Sequence, residues 1–158
     1  MTPDVNVLVA SSRQDHPHHQ PALAWLEEAL QRSEQSQSQS LAILPMVATG
    51  FLRLVTHPKV FKEPTPTSLA LGFMDTLLNA PGVYIPGLQF EWDLLTKLCE
   101  KYTLVGNHIP DAWIASAVSH HHLHLVTFDK GFKRLVKPSR LTVLQTEPDR
   151  FFETGLTS

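Results

Sequence analysis

The chain opens on an apolar run. Val5, Val7, Leu8 and Val9 crowd into "DVNVLVA". Three of these four are β-branched, and the run predicts a buried strand over residues 3–10. The period then lengthens. Ala22, Leu23, Leu26, Ala29 and Leu30 recur three and four residues apart, the spacing of one helix face. Asp15 or His16 is placed to cap that helix, with Pro17 in its first turn. "SEQSQSQS", residues 33–40, is polar and of low complexity and reads as a flexible surface connector. A short strand at 41–44 leads into "PMVATGFLRLVT", a helix closed by His57-Pro58. A helix in "PTPTSLALGFMDTLLNAP" follows, then a strand in "GVYIP". The segment "FEWDLLTKLCEKY" is an amphipathic helix with Phe90, Leu94, Leu95 and Leu98 on one face. A helix beginning at Asp111 ("DAWIASAVSHHH"), a strand ("LHLVTF"), a helical turn ("DKGFKRL") and a last strand ("LTVLQ") complete the chain. Alternating strands and helices predict an α/β fold: a mostly parallel sheet with helices on both faces. Without an internal repeat or a break in pattern, residues 1–158 read as one domain. Sites in such sheets form beyond the carboxyl ends of the strands.

Composition narrows the class. A hydrophobic fraction of 42% and a charged fraction of 18% support a folded core rather than global disorder. The net charge of −2 argues against nonspecific coating of nucleic acid and leaves room for a local basic patch. Cys99 is the single cysteine, so no internal disulfide forms, in keeping with a reducing compartment. No apolar stretch approaches the roughly 18 residues of a membrane span, and no secretory leader is evident. The expected location is the cytoplasm.

Three aspartates stand in apolar surroundings: Asp4 at the first strand, Asp111 at the head of a helix, and Asp129 directly after "LVTF". A carboxylate in such a place is costly unless it is paired or bound to a cation. Each has an ordinary structural reading as well: a solvated strand end for Asp4, a helix cap for Asp111, a turn residue for Asp129. Together they have the chemistry of a phosphodiesterase centre. Phosphodiester hydrolysis needs a nucleophile at neutral pH and shielding of developing negative charge. A hard cation, Mg²⁺ or Mn²⁺, held by two to four carboxylates, provides both. Asn6, two residues after Asp4, projects to the same side of the expected strand and is placed to orient Asp4 or a bound water.

The phrases "DVNVLVA", "GFLRLVTHP", "NHIPDAWIASAV" and "LVTFDKGF" occur in this order over nearly the whole chain. In order and spacing they resemble the PIN-domain ribonucleases, most closely the VapC toxins of bacterial toxin–antitoxin pairs. The resemblance implies a three-layer α/β/α sandwich with a central, mostly parallel sheet. It implies an endoribonuclease dependent on Mg²⁺ or Mn²⁺, often acting on tRNA or rRNA, a cognate VapB-like antitoxin, and a homodimer. By position, Asp4, Asp111 and Asp129 match the family's metal-coordinating catalytic acids, with Asn6 and Thr127 as supporting polar residues. One departure stands out. Where most of the family has a glutamate, this chain has Gly50, and residues 41–62 contain no acid. Arg53, about one helical turn on, is expected to face the same cleft, on substrate phosphate or an aspartate.

Lys130, Lys133 and Arg134, with Lys137 and Arg140, put five cations into eleven residues. They are expected to form a positive strip that holds RNA phosphates. The run His120 to His124 reads as imidazoles favoured at a helix end rather than as zinc ligands, because adjacent histidines diverge on a helix and no cysteine is near. His16, His18 and His19 read as surface residues, and Trp25, Trp92 and Trp113 as core or interface packing. Two other readings remain: a degenerate PIN domain that binds RNA or antitoxin without cutting, and a metal-dependent nuclease or phosphatase acting on DNA.

Overall fold

The computed structural model describes residues 1–36, 38–88 and 91–145. The elements are β1 (Thr2–Pro3), α1 (Val5–Ser12), α2 (His19–Gln35), β2 (Leu41–Ala42), α3 (Pro45–Val55) and α4 (Thr67–Leu78). They continue with β3 (Val83–Tyr84), α5 (Glu91–Tyr102), α6 (His108–His120), β4 (Leu125–Thr127) and β5 (Leu141–Val143), with 3₁₀ turns at Lys130–Arg134 and Pro138–Arg140. Strands β1, β4 and β5 pair in parallel, as do β2 and β3. The Ala42 amide donates to the Met1 carbonyl at 2.8 Å, and the Met1 amino group donates to the Ser40 carbonyl at 2.7 Å. These bonds set β2 beside β1, so the spatial order is β3-β2-β1-β4-β5. The result is the expected α/β sandwich on a parallel sheet, built with shorter strands than the sequence pattern implies. Phe51, Ile43, Leu44, Leu125 and Phe132 are among the fully buried side chains at its centre. Among the described residues, no helix is long and apolar enough to cross a membrane.

The largest correction is at the start. The strand expected over residues 3–10 is two residues of β1 followed by the helix α1. Asp4, extended at φ −77° and ψ 164°, caps that helix, its carboxylate accepting from the Val5 amide at 2.7 Å. Leu8 and Val9 enter the main core, while Val7 and Ala10 pack with Ala22, Trp25 and Phe128. A helix covered on all sides has no polar face, so its sequence lacks the 3.6-residue period and reads equally as a strand.

Several local expectations also change. α2 begins at His19, and neither Asp15 nor His16 caps it; the N-cap is His18, without a side-chain cap bond. Asp15 is instead gripped by both sides of the Arg13 guanidinium, at 2.9 and 2.7 Å. Arg13 is itself buried and also bonds Thr65 and the Glu63 carbonyl above the Phe61 ring. The nearby histidines are partly buried rather than on the surface: His18 stacks on Phe128, and His19 Nδ1 meets the Ala10 carbonyl at 2.9 Å. The connector expected from residue 33 starts later, because α2 runs on to Gln35 and Ser33 is fully buried. Gly82 comes so close there that a Cβ on it would lie 2.4 Å from Ser33 Oγ. α6 starts at His108, so Asp111 lies in its first turn and is not its cap. On α5, Leu95 is buried and Leu94 and Leu98 are half-buried; Phe90 lies outside the described residues. Trp25 packs on the core, whereas Trp92 and Trp113 are exposed.

Candidate active site

Parallel strands end at one edge of a sheet, and this places the acids. Asp4 is the first residue after β1, and Asp129 lies two residues beyond β4. The Asp4 amide donates to the Val126 carbonyl at 2.9 Å, which ties the two strand ends together. The first turn of α6 brings Asp111 to the same edge. Asp4, Asp111 and Asp129 thus line one cleft of about 620 Å³, with Asn6, Gly50 and Arg53 also in its walls. Asp4 lies at the floor, 5% exposed; Asp111 is half-buried and Asp129 stands at the exposed rim.

Thr127, fully buried at the end of β4, organises the floor. Its hydroxyl donates to Asp4 Oδ2 at 2.6 Å and accepts from Asn6 Nδ2 and from the Asp129 amide, both at 3.0 Å. Asn6 Oδ1 accepts in turn from the Phe128 amide at 3.2 Å. Asn6 reaches this network from the first turn of a helix, not from the strand face that the sequence implied. Asp129 also accepts from the Gly131 amide at 2.6 Å, which starts the 3₁₀ turn. A Cβ at Gly131 would come within 2.9 Å of that carboxylate.

The acids repel one another. Burial pushes Asp4 up from 3.8 to about 6, against the hydrogen bonds from Thr127 and Val5, and Asp111 and Asp129 push it further. Asp111 is also raised, by burial first and then by Asp129, with His108 and Arg134 opposing. Oxygen donors that disfavour each other's ionisation suit a hard divalent cation. The donors stand somewhat apart, however. Among the described residues, the only trio of potential ligands whose donor atoms all lie within 4.8 Å of one another is Glu91, His120 and His121. A Mg²⁺ ion with ligands at about 2.1 Å spans at most about 4.2 Å. A cation here would therefore reach at least one aspartate through a water or after an inward movement of the carboxylates.

Gly50 lies in the cleft wall, where α3 crosses α1. A Cβ there would sit 2.8 Å from Val5 Cγ2, so close helix packing accounts for glycine at this position. Arg53 lines the same cleft and is exposed. The cations near Asp129 do not form the single strip expected. Arg134 is near enough to Asp111 to draw its pKa down. Lys130 and Lys133 line a neighbouring groove beside β5, and Lys137 and Arg140 a third hollow near His122. The tight 3₁₀ turns rotate successive cations onto different surfaces. Asn107, Thr49 and Met46 also line the cleft, and His108 Nδ1 is 3.8 Å from Asp111; none of these four stands out in the sequence. Spacings of three and four residues from Asp111 would have found His108 and Asn107 on its face of the helix.

Comparison with known proteins gives the family. The family model described as "PIN domain" matches residues 1–138. "Ribonuclease VapC25" of Mycobacterium tuberculosis is 32% identical over 133 residues, 83% of this chain and 89% of that protein. "Ribonuclease VapC43" of the same species is 33% identical over 133 residues, 83% of this chain and 86% of that protein. The crystal structure of VapBC2 from Rickettsia felis, bound to a DNA fragment from its promoter, contains a similar fold. Its TM-score is 0.62 at 21% identity, over 91% of this chain and 98% of that one. A PIN match over most of the sequence and VapC relatives above 30% identity lead to one conclusion: the chain belongs to the PIN-domain family, among the VapC ribonucleases.

Proposed function

We propose that the protein is a metal-dependent endoribonuclease, the toxin of a VapBC-type pair, acting in the cytoplasm on a structured RNA such as tRNA or rRNA. The observation that carries this reading is the meeting of Asp4, Asp111 and Asp129, from three distant segments, in one cleft where burial and mutual repulsion raise Asp4 and Asp111. The named activity of the VapC relatives supports it.

When bound, Mg²⁺ or Mn²⁺ would supply an activated water and shield the charge of the phosphate under attack. Asp4, Asp111 and Asp129 would hold it. The chain's other groups fix these ligands: the Val5 amide and the Thr127 hydroxyl hold the two oxygens of Asp4, and Asn6 braces Thr127. Arg53, in the wall of the cleft, and Arg134, near Asp111, are the proposed contacts for RNA phosphates, with Lys130 and Lys133 offering a separate contact in the neighbouring groove. The reaction is hydrolysis: one P–O bond forms to the water oxygen and one breaks to the leaving ribose oxygen. A VapB-like antitoxin is the proposed partner and would block the cleft. A homodimer is also proposed, with exposed Ile109 and Trp113, one turn apart on α6 beside Asp111, as its apolar contact.

Cleavage of a pool of total RNA in Mn²⁺ or Mg²⁺ tests the reading, with Asp111→Asn as control. The variant should lose at least about 100-fold of the activity while keeping its circular dichroism spectrum. Cleavage that persists in the variant would sink the assignment. Gly50 in place of an acid, together with the spread of the three carboxylates, favours a second reading, a module that binds RNA without cutting. That reading predicts no cleavage by the wild type and RNA binding that survives EDTA.

A further inference from the structure

We propose that Glu91, His120 and His121 form a second metal site, for a divalent transition-metal ion of the zinc class, which clamps the start of α5 to the end of α6. Glu91 is the first described residue of α5 and only 3% exposed. His120 is the last residue of α6 and His121 its C-cap. Their potential ligand atoms all lie within 4.8 Å of one another, and Glu91 Oε1 already meets His121 Nε2 at 2.6 Å.

The donor set defines the ion. Two imidazole nitrogens and one carboxylate oxygen are borderline ligands, suited to Zn²⁺ and its neighbours rather than to Mg²⁺. Tetrahedral zinc with ligands at about 2.0–2.1 Å keeps its donor atoms about 3.4 Å apart. To reach that, the 2.6 Å Glu91–His121 contact must lengthen while every pair of donors stays within the present 4.8 Å. Three protein ligands leave a fourth position for water or another donor. On binding, the Glu91–His121 hydrogen bond would give way to a bond from each residue to the cation, so the buried carboxylate stays paired.

Adjacent histidines diverge in the middle of a helix, but these two stand where the helix ends. The chain turns out at His122, with φ 53°, and the two rings lie edge to face with centroids 4.9 Å apart. The third donor comes from thirty residues earlier, so only the packing of α5 on α6 creates the trio. The site is distinct from the acid cleft. Asp111 and His120 are nine residues apart on α6, about 14 Å along its axis, and none of the trio lines the cleft.

The test is calorimetric titration of Zn²⁺ into the full chain with Mg²⁺ in large excess, repeated on His120→Ala and Asp111→Asn. The wild type should bind one ion saturably. His120→Ala should weaken that binding by more than about 100-fold, beyond what loss of a mere second-sphere partner costs. Asp111→Asn should leave it unchanged. Zinc should also raise the wild-type melting temperature and raise it less in His120→Ala. His120 is the residue to replace because truncating buried Glu91 risks misfolding. Absence of saturable binding would overturn the proposal. So would affinity indifferent to His120, or zinc binding that disappears with Asp111→Asn, which would place the ion among the aspartates.

Discussion

Thr127 donates one hydrogen bond to Asp4 and accepts two, from Asn6 and the Asp129 amide, so its hydroxyl is fully used. Thr127→Val keeps the shape and strands three polar groups around a buried side chain. We expect a loss of about 2–3 kcal/mol in urea unfolding and a further upward movement of the Asp4 titration in carboxylate NMR, since the lost bond favoured the charged form. Asp4 also sets a pH dependence. Its folded-state value of about 6 lies above the ordinary 3.8, so between these values the fold binds more protons than the unfolded chain. Ion-free stability should therefore fall as pH rises from about 4 through about 6, by about 3 kcal/mol from this group. Unfolding midpoints in EDTA across that range should show the decline, and Asp4→Asn should flatten it. Added Mg²⁺ should stabilise the wild type more above pH 6 than below, where the proton competes for the same oxygens.

At the scale of elements, the crossing of α3 over α1 decides what position 50 tolerates. Alanine in place of a helical glycine gains up to about 1 kcal/mol in propensity. At Gly50 the new methyl would lie 2.8 Å from Val5 Cγ2, and overpacking of this kind costs about 1–3 kcal/mol. Gly50→Ala should therefore destabilise by about 1 kcal/mol net, and Val5→Ala in the same chain should reverse the sign. Additive effects in that double-mutant cycle would remove the steric account. The helices were legible in the sequence where one face was polar: α2, α3 and α5 follow their apolar periods. α1 was not, because every side of it is covered. α2 runs past the end that its sequence predicts, because the serine and glutamine composition of its last turn gives no sign that Ser33 packs beneath Gly82.

Across the whole molecule, the parallel sheet joins residues more than a hundred positions apart at one edge and leaves an apolar surface beside them. Ile109 and Trp113 are 42% and 43% exposed on α6, with Trp92 at 69% on α5. A contiguous patch of such side chains marks an interaction surface, the role proposed for Ile109 and Trp113, one turn apart on α6. If they join two copies, Trp113→Glu should shift the sedimentation coefficient from dimer to monomer, with the far-ultraviolet spectrum unchanged. A dimer that withstands the substitution would place the contact elsewhere.

The sequence by itself determined the α/β class, the parallel sheet and the family, and it singled out Asp4, Asp111 and Asp129. Alternation of elements and short ordered phrases are local properties that survive without coordinates. Only the tertiary structure decided how these residues work together. It showed that Asp4 ends a strand and caps a helix, that Thr127 binds the floor of the cleft, that neighbouring cations face different surfaces, and that Glu91 meets two histidines. Each of these depends on which segments touch. Contacts between distant segments follow from the packing of whole elements, which no window of the sequence contains.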